Sequence, residues 1–206
     1  GATLAFTQLW LLPRISDFRQ LCPGTKIRLI SQDTPIDIER DMVDLVIRYG
    51  DGIWPDGRSV LLCEDDVFPV CSPNYAASCR LPETAGELLE HTLLDYESPN
   101  PGWIGWKEWL SAFSAAQTAR PMLRLSFYTD VIHAALAGHG IALGWHCLVE
   151  DLLRQDRLCR VSALQMRTRS AYFVVVPNRE VLKPNVQAFV NWLGSHLKYK
   201  AADPKM

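Results

Sequence analysis

The 206-residue sequence has no apolar run long enough to span a membrane, and its opening residues lack the basic start and apolar stretch of a secretory signal. We therefore predict a soluble protein without membrane contact. Neither charge is in clear excess, because 21 Lys and Arg stand against 23 Asp and Glu for a net charge of −2. Without a basic face this segment is not predicted to bind DNA by itself.

Short motifs that carry enzyme chemistry are also missing. GxSxG, the phosphate-binding loop and GxGxxG do not occur. The five histidines are scattered, without the paired spacing of zinc ligands, so no metal and no other cofactor is predicted. Cys71 or Cys147 could be proposed as a nucleophile with a histidine as base, yet a lone cysteine is more often a small core residue. We predict that the protein is not an enzyme.

Six cysteines are present, but they include no CxxC pair. Their long and uneven separations differ from the framework of a small secreted disulfide-rich domain. A reducing, cytoplasmic setting is therefore predicted. The cysteines are Cys22, Cys63, Cys71, Cys79, Cys147 and Cys159.

Hydrophobic periodicity switches repeatedly between the spacing of strands and that of helices, which predicts an α/β fold. Strands are predicted over residues 3–6, 26–30, 44–48, 60–62, 67–71, 93–96, 122–127, 141–144 and 172–176. Helices are predicted over residues 12–21, 36–42, 85–90, 103–113, 130–137, 148–153 and 186–197. Gly138 is expected to end one of these helices in a left-handed conformation, and residues 201–206 are expected to be disordered.

The pair Ser72-Pro73 interrupts the pattern, and we predict that the chain crosses there into a second lobe. Subdomain I is predicted to comprise residues 1–70 plus 174–206. Subdomain II is predicted to comprise residues 71–173. The size of the chain suits two small lobes better than two full domains.

Six segments, in order and at consistent spacing, resemble the effector-binding domain of LysR-type transcriptional regulators. They are LWLLPRISDFRQLCP, MVDLVIRYGDGIWP, VFPVCSPNY, WIGWKEWL, AALAGHGIALGW and YFVVVP with the closing VQAFVNWL. The resemblance covers nearly the whole chain and is strongest to the subgroup typified by the glycine-cleavage activator.

The resemblance implies two Rossmann-like subdomains joined by two crossover strands, as in type 2 periplasmic binding proteins, with a small-molecule effector in the cleft between them. A winged helix-turn-helix would precede residue 1, so DNA would be bound only through that missing part. A homodimer is expected, in which the helix 12–21 and the strand 26–30 contact the other lobe of a partner. A free-standing solute-binding protein of the same fold is the alternative.

Candidate effector contacts follow from the same resemblance. They are Phe6, Thr7, Ser31, Gln32, Tyr49, Trp103, Tyr128, Thr129, Asp130 and Trp145. Thr129 or Asp130 could instead be a helix N-cap without any ligand. Asp33 departs from a simple anion site, because its carboxylate would repel an acidic effector unless it points away.

Two effector classes remain open. Helix N-termini and hydroxyl groups favour a carboxylate or a sulfate, which is the class we expect. Aromatic faces with an acidic side chain would suit a quaternary ammonium compound. Of the seven tryptophans, Trp103 and Trp145 are expected to line the cleft, whereas core packing is predicted for four others on helical faces. Those others are Trp10, Trp106, Trp109 and Trp192.

Overall fold

The computed structural model describes residues 1–98, 100, 102–115, 123–178 and 181–197. The chain forms two compact units: unit 1 is Gly1–Asp65 with Arg169–Met206, and unit 2 is Asp66–Thr168. The predicted boundaries were after residues 70 and 173, and the observed ones each come a few residues earlier. Within the described part of the chain, no helix has the length and apolar character needed to cross a membrane.

The strands and helices alternate along the chain. The strands are β1 (Val46–Gly50), β2 (Arg58–Cys71), β3 (Leu93–Tyr96), β4 (Leu123–Leu125), β5 (Ile141–Trp145), β6 (Cys159–Arg160) and β7 (Met166–Val176). The α-helices are α1 (Ile15–Leu21), α2 (Pro73–Ser78), α3 (Trp106–Ala112), α4 (Tyr128–Leu136), α5 (His146–Arg154) and α6 (Pro184–His196). A π-helix covers Phe6–Leu11, and a 3-10 helix covers Glu87–Glu90. Both boundaries between the units fall inside strands, one in β2 and one in β7.

Unit 1 begins differently from the predicted strand at residues 3–6. Only Ala2 makes a β-bridge, to Ser31, and helical structure starts at Leu4. The Thr3 hydroxyl accepts the Phe6 backbone N–H at 3.2 Å, which satisfies one of the N–H groups that a helix start leaves open. In place of the predicted helix over 12–21, a turn covers residues 12–14 and α1 follows it.

Two further expectations for unit 1 were wrong. Residues 26–30 form no strand, because the neighbouring segment at Ala2 pairs only with residues 30–32. Residues 36–42 form turns instead of a helix. There the Asp37 carboxylate accepts the backbone N–H groups of Glu39 at 3.0 Å and Arg40 at 2.7 Å. Such local side-chain bonds compete with helix formation.

The core of unit 1 is aromatic and joins the two ends of its sequence. β1 pairs antiparallel with β7, with Tyr49 opposite Tyr172. From the N-terminal part, Trp10 contacts Trp192 of α6 edge to face at 5.8 Å between ring centroids. Phe18 of α1 contacts the same tryptophan at 5.5 Å. The prediction that Trp10 and Trp192 are core residues is confirmed, since both are buried.

In unit 2 the buried strand β5 is central. It pairs antiparallel with β2 and parallel with β3, which in turn pairs parallel with β4. Every residue of β5 is buried. Trp109 of α3 is also buried and donates its indole N–H to the Val67 carbonyl at 3.0 Å, while Trp106 donates to Leu94 at 2.8 Å. The core assignment of these two tryptophans is confirmed.

Most predicted elements of unit 2 are present with shifted ends. β3 has the predicted bounds, and Gly138 has the expected positive φ of 82° just after α4. Ser72-Pro73 ends β2 as expected but also starts α2, because the Ser72 hydroxyl accepts the Tyr75 N–H and proline suits a first helical position. β6 was not predicted. Part of the predicted strand 122–127 and the whole tail 201–206 lie outside the described residues.

Gly140 gives a test of the packing at the start of β5. An added Cβ would overlap the Thr92 carbonyl oxygen, which accepts the Ile141 N–H at 2.8 Å. Gly140→Ala should lower the free energy of unfolding by about 1 to 3 kcal/mol, measured by urea denaturation. The matched control is Gly194→Ala in α6, where a Cβ meets nothing within 4 Å and stability should rise by up to about 1 kcal/mol. An unchanged Gly140→Ala variant would contradict the close approach.

Candidate functional site

In unit 1, two of the candidate side chains are in direct contact. The Ser31 hydroxyl donates to the Thr7 hydroxyl oxygen at 2.9 Å, across 24 positions of sequence. The contact is possible because Ala2 bridges Ser31 and so brings the chain ahead of the π-helix beside it. Thr7 is buried and Ser31 is half-buried. A hydroxyl can donate one and accept two hydrogen bonds, so the pair retains capacity for a polar ligand atom.

Asp33 follows Ser31 by two positions in the sequence, and its carboxylate bonds to the start of the helical segment. Its Oδ1 accepts the Leu4 backbone N–H at 3.1 Å. Burial raises the pKa of the Asp33 carboxyl, and the bond from Leu4 partly opposes that rise. The chain's own carboxylate therefore takes a position at a helix start where an anionic ligand would otherwise be favoured.

The aromatic candidates of unit 1 pack on each other. Phe6 lies 5.2 Å from Tyr172 between ring centroids, and Tyr49 lies 5.0 Å from Tyr172 on the facing strand. All three rings are buried. Sequence reasoning missed Tyr172, because its run of aromatic and β-branched residues indicated only a strand. Gln32 is half-buried, and its amide donates to the Thr34 carbonyl at 3.4 Å.

In unit 2, Tyr128 connects the start of α4 to the end of β5. Its hydroxyl donates to the Leu143 carbonyl at 3.1 Å and accepts the Trp145 N–H at 3.2 Å. Tyr128 and Trp145 are both buried. One donation and one acceptance by the same hydroxyl fix the ring against the strand, so Tyr128 has a structural role irrespective of any ligand.

Trp103 and Trp145 form a stacked pair that closes an aromatic cluster. Their ring centroids are 3.9 Å apart with planes 22° from parallel. Tyr128 lies 5.1 Å from Trp103, and Tyr96 lies 5.7 Å from it, edge to face. The cavity that these rings border has a volume of only about 10 Å³. Inside the cluster there is therefore no room for a quaternary ammonium group without movement of a ring.

The first turn of α4 presents Thr129 and Asp130. The N-cap of α4 is Phe127, and no side chain caps the helix, so the alternative in which Thr129 or Asp130 is the N-cap is wrong. Thr129 is buried and Asp130 is exposed, both one turn or less from the helix start. The helix dipole, without a side-chain cap, makes this terminus favourable for an anionic group.

Across the described residues, no three His, Cys, Asp or Glu side chains come together as metal ligands.

Comparison with known proteins gives a consistent result. Residues 1–198 match the family described as LysR substrate binding domain. The chain is 29% identical over 195 residues to the HTH-type transcriptional activator AmpR of Rhodobacter capsulatus, covering 94% of this chain and 64% of that protein. It is 28% identical over 189 residues to the glycine cleavage system transcriptional activator of Escherichia coli K12, covering 92% and 61%. The chain thus spans less than two-thirds of these relatives.

A solved structure extends the likeness to three dimensions. The effector domain of the transcriptional regulator AmpR of Pseudomonas aeruginosa superposes with a TM-score of 0.76 at 28% identity, covering 96% of this chain and 93% of that one. The matching proteins are transcription regulators and not enzymes. The chain belongs to the LysR substrate-binding domain family, the effector-binding domain of LysR-type transcription regulators.

Proposed function

We propose that this chain senses a small organic effector for a cytoplasmic LysR-type regulator, whose DNA-binding part is not among these residues. The Ser31–Thr7 hydroxyl contact beside Asp33 is the observation that most supports a ligand site, since it gathers polar groups from distant parts of the sequence. The free-standing solute-binding protein is not favoured, because the matching relatives are transcription regulators. The interdomain cleft expected from the resemblance stays a prediction.

Within unit 1, we assign effector recognition to Ser31, Thr7 and Asp33. The two hydroxyls offer donors and acceptors, whereas an ionised Asp33 only accepts hydrogen bonds and attracts positive charge. A carboxylate or sulfate at this position would face that negative charge in a half-buried setting, where repulsion is weakly screened. We therefore expect the effector to present an ammonium or another donor group to unit 1.

Within unit 2, we assign the acceptor end of the effector to the start of α4, where Thr129 lies. The positive end of the α4 dipole, which no side chain caps, suits a carboxylate or a sulfate. Within this unit, an effector that carries a carboxylate or a sulfate group fits the assignment. The stacked Trp103 and Trp145 would then border the ligand as a wall.

We propose a homodimer through the exposed strip of unit 1 at residues 26–29. Ile27 and Leu29 keep 37% and 38% of their surface exposed, and they alternate with Lys26 and Arg28 on a segment that pairs with no strand among the described residues. They border a groove of about 280 Å³ whose floor includes Phe18 of α1 and Phe189 of α6. An exposed apolar strip beside an apolar groove is suited to contact with a second copy of the chain.

Substitution of Ser31 tests the hydroxyl assignment. A thermal-shift screen of amino acids, choline sulfate, betaine and aromatic acids should identify a stabilising ligand, which at a hundredfold excess over Kd adds about 2.7 kcal/mol. Ser31→Ala should then weaken binding by roughly 3- to 10-fold, as expected for a lost hydrogen bond of about 1 kcal/mol. Ser16→Ala, at an exposed serine of α1, is the control. Equal affinity in Ser31→Ala and wild type would contradict the assignment.

Charge preference tests the role of Asp33. If ionised Asp33 holds a cationic group, affinity for a ligand that carries such a group should fall on acidification through the pKa of Asp33, which lies above its ordinary value because of burial. Asp33→Asn should weaken this ligand at pH 7 and remove the pH dependence. Calorimetric titrations at a series of pH values, from neutral pH downward, provide the measurement. Tighter binding of an anion without a cationic group by wild type than by Asp33→Asn would refute the proposal.

The dimer proposal is tested on the exposed strip. Leu29→Asp should convert a dimer at tens of micromolar into monomer in light scattering, because a buried unpaired carboxylate costs several kcal/mol. Ile53→Asp is the control, since Ile53 is 79% exposed and lies outside the groove. Phe18, buried in the core, is unsuitable for this test. A monomeric wild type, or a Leu29→Asp dimer of unchanged affinity, would show that this strip is not the interface.

A further inference from the structure

Two cysteines that are far apart in the sequence meet in unit 2. Cys71 ends β2 and Cys159 begins β6, and the two are directly opposite in the antiparallel register. Their Sγ atoms are 3.8 Å apart across 88 positions of sequence. The free thiols are in contact, although the spacing of the cysteines gave no sign of a pair.

Strand geometry allows these sulfurs to bond. Directly opposite residues in an antiparallel pair have Cα atoms about 4.5 to 5.5 Å apart, which lies inside the range of about 4.4 to 6.8 Å found for disulfides. The sulfurs would have to close from 3.8 Å to about 2.05 Å, a change that side-chain rotation supplies in large part.

The two thiols differ in access. Cys71 is fully buried. Burial is the main cause, and the neighbouring Cys159 the second cause, of a raised pKa of the Cys71 thiol. Cys159 is half-buried. An oxidant from solution therefore reaches Cys159 first, and Cys71 waits in contact as the second thiol.

We infer that Cys71 and Cys159 form a reversible disulfide when a hydroperoxide reaches the domain. The Cys159 sulfur attacks the peroxide oxygen, the O–O bond breaks, and a sulfenic acid and one molecule of water or alcohol result. Cys71 then attacks the Cys159 sulfur, the S–O bond breaks, and the departing hydroxide takes the Cys71 proton as water. Two thiols lose two electrons to one peroxide, and a cellular dithiol reverses the change by exchange. Transient disulfides of this kind are the form expected in a reducing compartment.

The disulfide would tie the start of β6 to the end of β2. Because β2 also pairs with β5, the link would be added to the strand that supports the central sheet of unit 2. Closing so long a loop restricts the unfolded chain and should stabilise the oxidised domain. The consequence is a redox-dependent stability in the part of the protein that carries Thr129, Trp103 and Trp145.

Peptide mapping provides the test. Trypsin should place Cys71 in the peptide 59–80, together with Cys63 and Cys79, and should place Cys159 in the tripeptide 158–160. The starting protein is therefore the variant Cys63→Ser with Cys79→Ser, in which the first peptide has one thiol. Cys79, whose thiol donates to the Tyr75 carbonyl at 3.3 Å, is one of the two competing thiols that this choice removes.

After treatment with a stoichiometric amount of hydrogen peroxide, alkylation and digestion without reductant, a linked mass of 59–80 with 158–160 is expected. Dithiothreitol should abolish it, and Cys159→Ser should prevent it. In the wild-type sequence, the melting temperature should rise by several degrees on oxidation and return on reduction, whereas Cys159→Ser should show no rise. Cys22→Ser should behave as wild type.

Three outcomes would overturn the inference. They are a Cys159 that is alkylated or converted to sulfinic acid without any link, a link from Cys159 to Cys63 or Cys79 in the wild-type sequence, and an equal rise in melting temperature in Cys159→Ser. Since Cys159 is only half-buried, its replacement by serine is expected to fold even if Cys71→Ser does not.

Discussion

The arrangement of unit 2 depends on the double hydrogen bond of the Tyr128 hydroxyl to β5. That strand is buried throughout and ends at Trp145, so its last backbone groups need partners that the sheet does not supply. Tyr128 provides one donor and one acceptor there, and by doing so it fixes where α4 begins. The Tyr128 ring also lies 5.1 Å from Trp103 and 5.4 Å from Trp145, so the same side chain connects α4 to the stacked tryptophans.

Local signals in the sequence were sufficient for the elements that are stabilised locally. β3 and the glycine that follows α4 could be predicted because an apolar run and a left-handed C-cap are properties of a few neighbouring residues. The structure of residues 26–30 could not be predicted in this way. Their hydrophobic alternation is that of a strand, but strand pairing depends on a distant segment, and the β-bridge from that segment is made to Ser31. The helix predicted over residues 36–42 does not form for a different reason. The Asp37 carboxylate accepts backbone N–H groups that a helix would have used.

The candidate site shows the same division. Ser31 and Thr7 were named from a family resemblance, and nothing in their separate surroundings in the sequence indicates that the two hydroxyls touch. The sequence marks Asp33 only as a departure from a simple anion site, because its bond to Leu4 depends on the tertiary fold. Tyr172 was missed because a tyrosine in a run of valines has the pattern of an ordinary core strand. Contact between residues of distant sequence position is the information that periodicity does not contain.

Unit 1 is built from two separate stretches of the chain, and this affects how it folds during biosynthesis. Its aromatic core needs Trp10 from the beginning of the chain and Trp192 from near its end, while unit 2 consists of one uninterrupted stretch. During translation, unit 2 can therefore complete its core before Phe6, Trp10 and Phe18 can pack against Tyr172 and Trp192. These exposed rings are a natural target for chaperones until α6 has left the ribosome.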